Sequence, residues 1–455
     1  MEIDIKQMGE APIVQLLLKF SVPAFIGMAV EASYMTIDSI FIGHGVGSIG
    51  IAAITATLPV MIAMMAFANL IGIGSGTTVS LLLGEEKKEQ AEVVLGNTFV
   101  LLILMSSVPT LIGLFFLDPL LGFLGANTDL LPFSHEYLHI ILFGSVFMFI
   151  GGGLNNLIGT EGNPGIALKT ALVGVSINIV LCPLFIFYFG WGLSGAAWAT
   201  FIAEAASAAW ILSYFIHSKK SVMKLRQQNF CLKSPVLKKI ISIGMPSIVM
   251  EAMAVIVMTV VNINVVLYSG NMALAAFGII NSIGMVIVMP VFAISQGALP
   301  IFGYNYGAKK FDRIYEILKI SLIAGTIFVT CVFFIIEGFA EYLIPIYTND
   351  PEVIKFGANA IRIFMLMLPL EAVTIITGGY FQATGRPKQA IAFMLFHELL
   401  FIGLIAFVLP PHYGINGIIY AAPIADFLGA IVLMIGLCHD LRQQKREYLE
   451  PGVVI

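Results

Sequence analysis

Glu31 and Asp38 stand inside an apolar stretch, LLLKFSVPAFIGMAVEASYMTIDSIFIG, that runs from Leu16 to Gly43 with no Lys or Arg near the two acids. The stretch is long enough to cross a bilayer. Seven residues, about two helical turns, separate the acids, so they share roughly one face about 10 Å apart. Tyr34 falls on the same face. A carboxylate in hydrocarbon costs about 3 kcal/mol or more unless it faces protein or water. A single buried acid reads most simply as a hydrogen-bonded packing residue. Two on one face read better as a cation site.

Five more acids fall inside apolar runs: Glu204, Glu251, Glu371, Glu398 and Asp426. No central Lys or Arg neutralises them. An interior with acids and no bases suits protons, Na⁺ or organic cations. Asn178 and Cys182 lie one turn apart, as do Thr200 and Glu204. Amide and hydroxyl oxygens beside carboxylates can cage a hard cation, and ordinary interhelical hydrogen bonding is the competing reading. Glu398 adjoins His397, which suits either a site or a local hydrogen bond. The segment IGIGSGTTVS (71–80) lacks the lysine of a phosphate loop and reads as small residues for close helix packing. No nucleotide motif is present, so an ATP-driven pump is not expected from this chain. Cys182, Cys231, Cys331 and Cys438 are widely spaced without a CxxC, which argues against a disulfide framework or a zinc site. No catalytic residues and no metal site are assigned, and no cofactor is expected beyond a coupling H⁺ or Na⁺.

The elements that carry these residues are membrane helices. The chain has 455 residues, 59% hydrophobic and 11% charged, with mean hydropathy +0.97. A soluble domain carries about 25% charged residues. Apolar windows place twelve helices near 14–40, 49–83, 91–117, 135–158, 166–189, 194–217, 237–268, 274–304, 315–339, 356–380, 389–410 and 415–438. Pro23, Pro59, Pro109, Pro183, Pro246, Pro290 and Pro369 fall in or near the ends of these helices, where kinks are expected. Of 23 Lys and Arg, all but Lys355 and Arg362 fall on one side of that arrangement. The positive-inside rule then makes both termini cytoplasmic. The polar, acidic N-terminus has no basic leader region, so no signal peptide is expected.

The chain also repeats itself. Pro23 and Pro246, Ala52 and Ala275, Gly74 and Gly297, Lys87 and Lys310, Gly162 and Gly385, and Pro164 and Pro387 share one spacing. One residue fewer separates Gly192 from Gly414, Gly195 from Gly417, and Glu204 from Asp426. The expected fold is therefore an all-α polytopic membrane protein, with two six-helix lobes related by a parallel internal repeat. The lobes are 1–217 and 237–455, joined by a basic cytoplasmic linker, 218–236. A cleft between such lobes suits alternating access. Glu204 and Asp426 occupy equivalent places and so can be a shared structural device. Glu251 and Glu371 have Met28 and Met148 as counterparts, and that asymmetry favours a specific second-lobe site.

The segments FSVPAFIG, IGIGSGTTVSLLLGEEKKEQAEVVLGN, GTEGNPGIAL, SINIVLCPLFIF, GLSGAAWATFIAE and QATGRPKQA together resemble the multidrug and toxic-compound extrusion (MATE) transporters, in particular the bacterial MepA-like and DinF-like branch. The resemblance covers nearly the whole chain. It implies drug export coupled to inward movement of H⁺ or Na⁺, with a first-lobe cation site at Asp38, Asn178, position 182 and Thr200. Glu251 and Glu371 look like the seventh- and tenth-helix acids of a related branch. Two departures stand out. Cys182 replaces the usual aspartate, and Glu31 stands where the family usually has glutamine. A thiol cannot supply the second carboxylate of a Na⁺ cage, so protons are favoured in this lobe, with Asp38 as principal carrier.

The expectation is a secondary active exporter of amphipathic, cationic organic compounds, monomeric, in the bacterial cytoplasmic (inner) membrane, with no nucleic-acid partner and no enzyme activity. A lipid or lipid-linked precursor flippase is the alternative, and it would want basic cavity residues. A polytopic membrane enzyme would need a catalytic motif for which His397-Glu398 is the one candidate.

Overall fold

The structure, a computed structural model, describes residues 5–124 and 128–449. The terminal residues 1–4 and 450–455, assigned above to the cytoplasmic side, lie outside the described residues. So do the side chains of Lys445 and Arg446 in the basic tail. No strand occurs among the described residues. An apolar chain in a bilayer must satisfy every backbone N–H and C=O internally, and a helix does so within one segment.

The first lobe comprises α1 (Ile13–Gly45), α2 (Ser48–Gly84), α3 (Lys88–Phe123), α4 (Leu131–Phe143), α5 (Ser145–Thr160), α6 (Pro164–Pro183) and α7 (Gly192–His217). The second comprises α8 (Ser234–Gly270), α9 (Met272–Gly307), α10 (Phe311–Leu343), α11 (Pro351–Phe364), α12 (Leu368–Ala383), α13 (Pro387–Gly403) and α14 (Ile415–Leu449). Among the described residues ten helices are long and apolar enough to cross a membrane, and the count is twelve when the bent pairs α4–α5 and α11–α12 each make one span. Both pairs bend by 54°. The breaks fall at Gly144 and at Met365–Met367, so Gly144 and Met367 share the spacing of the repeat. A Cβ on Gly144 would lie 2.7 Å from the Phe201 ring. In the second lobe Pro369 stands in the first turn after the break, where its missing N–H costs no helical hydrogen bond. The turns that lead into α6 and α13 repeat as well. Gly162 and Gly385 have φ of +94° and +73°, a left-handed conformation that glycine adopts without strain.

The helices sort into two compact units: Met1–Ala11 with Val22–Ile248, and Pro12–Ser21 with Val249–Ile455. Each unit therefore takes in the opening turns of the other repeat's first helix. Glycines make room for the exchange. In the first unit Gly74 on α2 packs against the Ile240 carbonyl, and Gly244 on α8 packs against the Leu70 carbonyl. In the second, a Cβ on Gly297 of α9 would meet Ser21 Oγ at 2.5 Å and Ser21 N at 2.7 Å. Gly74 and Gly297 are repeat equivalents, as are Ser21 and Gly244, so one packing device is used twice.

The linker is a fitted strap within the first unit. Asn97 on α3 donates through Nδ2 to the carbonyls of Asn229 (3.1 Å) and Cys231 (3.2 Å), and its Oδ1 accepts from Lys233 N (2.7 Å). Glu92, also on α3, accepts from Lys224 N and pairs with Arg226 Nε, both at 3.3 Å. Met223 is fully buried.

Candidate functional site

In the first lobe α1, α6 and α7 bring together most of the residues singled out from the sequence. The Cys182 thiol, fully buried near the end of α6, donates to Asp38 Oδ1 on α1 at 3.0 Å. One turn earlier, Asn178 donates through Nδ2 to the Tyr34 hydroxyl (3.2 Å) and to the Thr200 hydroxyl on α7 (3.1 Å). The Tyr34 and Thr200 hydroxyls lie 3.4 Å apart. The spacing explains the grouping. Positions 34 and 38 lie one turn apart on α1, as 178 and 182 do on α6, so two layers of contact form. Beyond Cys182 the chain widens into a π-helical turn, Leu184–Tyr188, matched by Leu404–Val408 in the second lobe.

Glu31 is not drawn into this network. It is exposed and has no hydrogen-bond partner among the described residues, although its charge acts on Glu204. Glu204 is half-buried, and Gly151 on α5 faces it: a Cβ there would lie 3.2 Å from Glu204 Oε2. Tyr137 on α4, which sequence reasoning missed, is 3% exposed and feels the charge of Asp38. Its repeat equivalent is Ala360, so neither spacing nor symmetry marked it.

In the second lobe the structure gathers a different set. His397 on α13 places Nε2 2.9 Å from Asp426 Oδ1 on α14, and Nδ1 3.6 Å from Glu398 Oε1. Glu371, in the first turn of α12 just past the bend, interacts electrostatically with Asp426, His397 and Glu398. The positive end of the helix dipole favours an acid in that first turn. His397 thus reaches well beyond its chain neighbour. Glu251 is half-buried on α8 and has no hydrogen-bond or ion-pair partner among the described residues.

A third group lies past the end of α5. Glu161 is fully buried and accepts from the Tyr214 hydroxyl, from Ser221 Oγ (3.2 Å), and from the Val222 (3.1 Å) and Met223 (3.2 Å) amides of the linker. Burial outweighs those donors and pushes its carboxyl up to about 7. In the sequence Glu161 stands within GTEGNPGIAL. A lone acid in a turn carries no periodic signal. The equivalent end of the second lobe pairs Asp440 with Arg386, and Tyr380 and Gln444 also bond Asp440. Among the described residues no group of three or more His, Cys, Asp or Glu is arranged to hold a metal ion.

Two repeated lobes of membrane helices, each with buried polar groups contributed by several spans, define a transporter fold of the MATE type. The MatE family model matches twice, over residues 23–184 and 246–407, and together the matches cover more than half of the chain. The chain belongs to the MatE family. It is 27% identical over 430 residues to the multidrug export protein MepA of Staphylococcus aureus (strain MSSA476), with 94% of each chain covered. It is 26% identical over 436 residues to MepA of Staphylococcus haemolyticus (strain JCSC1435), with 96% of this chain and 95% of that one covered. A crystal structure of MATE in the bent conformation superposes with TM-score 0.93 at 22% identity, over 99% of this chain and all of that one. The two family matches sit at the spacing read from Pro23 and Pro246.

Proposed function

We propose that this protein is a secondary active multidrug exporter. It antiports amphipathic, cationic organic compounds by alternating access of its two lobes, and in the first lobe H⁺ rather than Na⁺ is the coupling ion. Family membership and the MepA relatives, which are named as multidrug export proteins, support the efflux role. The single observation that carries the ion assignment is the Cys182–Asp38 hydrogen bond. A Na⁺ cage needs oxygen ligands on the ion. Here position 182 offers a thiol in place of an oxygen, its hydrogen held by Asp38, and the Tyr34 and Thr200 hydroxyl oxygens already accept from the Asn178 amide. One carboxylate held by neutral partners suits a proton that binds and leaves. The one-sided Lys and Arg distribution supports a cytoplasmic membrane location with both termini inside.

The test is reconstitution in vesicles with an imposed proton or sodium gradient, following a fluorescent organic cation. A proton gradient should drive its movement, and Asp38→Asn should abolish coupling. Wild-type export by Asp38→Asn under a proton gradient would overturn the assignment.

A further inference from the structure

The two lobes differ where His397 stands. Its repeat equivalent is Gly174, and the residue that each faces is exchanged in size as well. In the first lobe Gly174 packs on Ser207; in the second, His397 packs on Gly429, the equivalent of Ser207. A Cβ on Gly429 would lie 2.7 Å from the His397 ring. The second lobe therefore contains a slot shaped for an imidazole. That ring interacts with carboxyls on its own helix and on two others: Glu398 of α13, Glu371 of α12 and Asp426 of α14.

Carboxylates only accept hydrogen bonds. Asp426 Oδ1 lies 2.9 Å from Nε2 and Glu398 Oε1 lies 3.6 Å from Nδ1, so an acid faces each ring nitrogen and the surroundings favour a ring that carries hydrogen on both. An imidazolium in that position occupies the place, and supplies the charge, that a bound metal cation would. We propose that His397 is the ion-specificity residue of the second lobe. It is a resident cation that keeps Na⁺ out of the Glu371–Glu398–Asp426 cluster and leaves only protons to exchange there. This rests on the cation-coupled reading above and assigns the second lobe's selectivity to one side chain. It also explains why three acids can gather without a Lys or Arg.

The experiment measures ²²Na⁺ binding to purified protein by scintillation proximity, in the Asp38→Asn background so that first-lobe binding is absent. It needs neither substrate nor gradient, so its outcome is separate from that of the transport assay. Asp38→Asn alone should bind no ²²Na⁺. Adding His397→Gln or His397→Asn, whichever elutes as a monodisperse peak, should raise ²²Na⁺ affinity by at least about tenfold, because one unit of resident positive charge leaves the cluster. A further Glu371→Gln should remove that gain, and His397→Lys should keep Na⁺ out. Glu371-dependent ²²Na⁺ binding with His397 present would overturn the proposal. So would a folded His397→Gln or His397→Asn variant that gains none.

Discussion

Replacing Glu161 by glutamine tests how the first lobe holds its linker. Glu161 lies just past the end of α5 with no exposed surface, and its carboxyl titrates near 7 instead of 4.5. The rise corresponds to about 3 kcal/mol at 1.36 kcal/mol per decade. The sign follows from proton counting. Between pH 4.5 and 7 the folded protein holds this proton more tightly than the unfolded chain does. Its contribution to stability is therefore largest below pH 4.5, falls as pH rises through 7, and is gone above that. Glutamine cannot titrate. It also accepts through one oxygen where the carboxylate had two, so donors among Tyr214, Ser221, Val222 and Met223 lose their partner at about 1 kcal/mol each. That loss does not vary with pH. The diagnostic quantity is therefore the difference between wild type and Glu161→Gln across pH.

Thermal unfolding in detergent, followed by intrinsic fluorescence at pH 5, 6, 7 and 8, gives that difference. The wild type should gain on the variant by about 3 kcal/mol between pH 8 and pH 5, a few degrees in midpoint. Most of the change should fall between pH 5 and pH 7. A difference that stays constant from pH 5 to pH 8 would refute the reasoning. One that grows toward alkaline pH would show that the four donors outweigh burial and that the carboxylate is the favoured form.

Further outcomes follow from the same contacts. With Cys331 and Cys438 replaced, the exposed Cys231 should react with an impermeant maleimide only after cells are opened; labelling of intact cells would reverse the orientation. Cys182→Asp restores a second carboxylate beside Asp38 and should raise the sodium sensitivity of transport, while Glu31→Gln should only shift its pH dependence, both read as efflux rates in vesicles. Glu251→Gln should lower transport without changing the gel-filtration profile, since this acid has no partner to hold in place; full activity would remove it from the mechanism. Gly244→Val drives a side chain into the Leu70 backbone carbonyl and should destabilise the first unit by about 3 kcal/mol or more, read as a lower unfolding midpoint.

Much of this was legible in the sequence, for identifiable reasons. Hydropathy marks spans because the bilayer imposes one length on all of them. The repeat was legible because glycines and prolines at turns and close contacts tolerate little substitution in either copy. The first-lobe network was legible because 34 with 38, and 178 with 182, each span one helical turn. The second-lobe cluster was only half legible. Glu371, His397 and Asp426 lie on three different helices, and nothing in their spacing says that those helices meet. The bend before α12, which places Glu371, follows from no single strong signal. Tyr137 and Glu161 were missed because one polar residue in an apolar run or a turn has no period.

The repeat is what gives the chemistry its meaning. Both lobes have the same bends, the same left-handed glycine turns and the same glycine contacts, so the backbone supplies two equivalent places for polar groups. What differs is which positions are polar. In the first lobe the acid of α7, Glu204, faces Gly151, and the network beside it is built from hydroxyls, an amide and a thiol around Asp38. In the second lobe the equivalent acid, Asp426, is bonded by a histidine that replaces glycine, and Glu371 has been added where the first lobe has Met148. The ends of the lobes diverge in the same way. Glu161 is held by neutral donors alone, whereas Asp440 is paired with Arg386, the equivalent of Asn163. At both places the second lobe sets a basic side chain on the acid, His397 on Asp426 and Arg386 on Asp440, where the equivalent first-lobe positions, Gly174 and Asn163, are neutral. A symmetric scaffold therefore carries two electrostatically distinct halves.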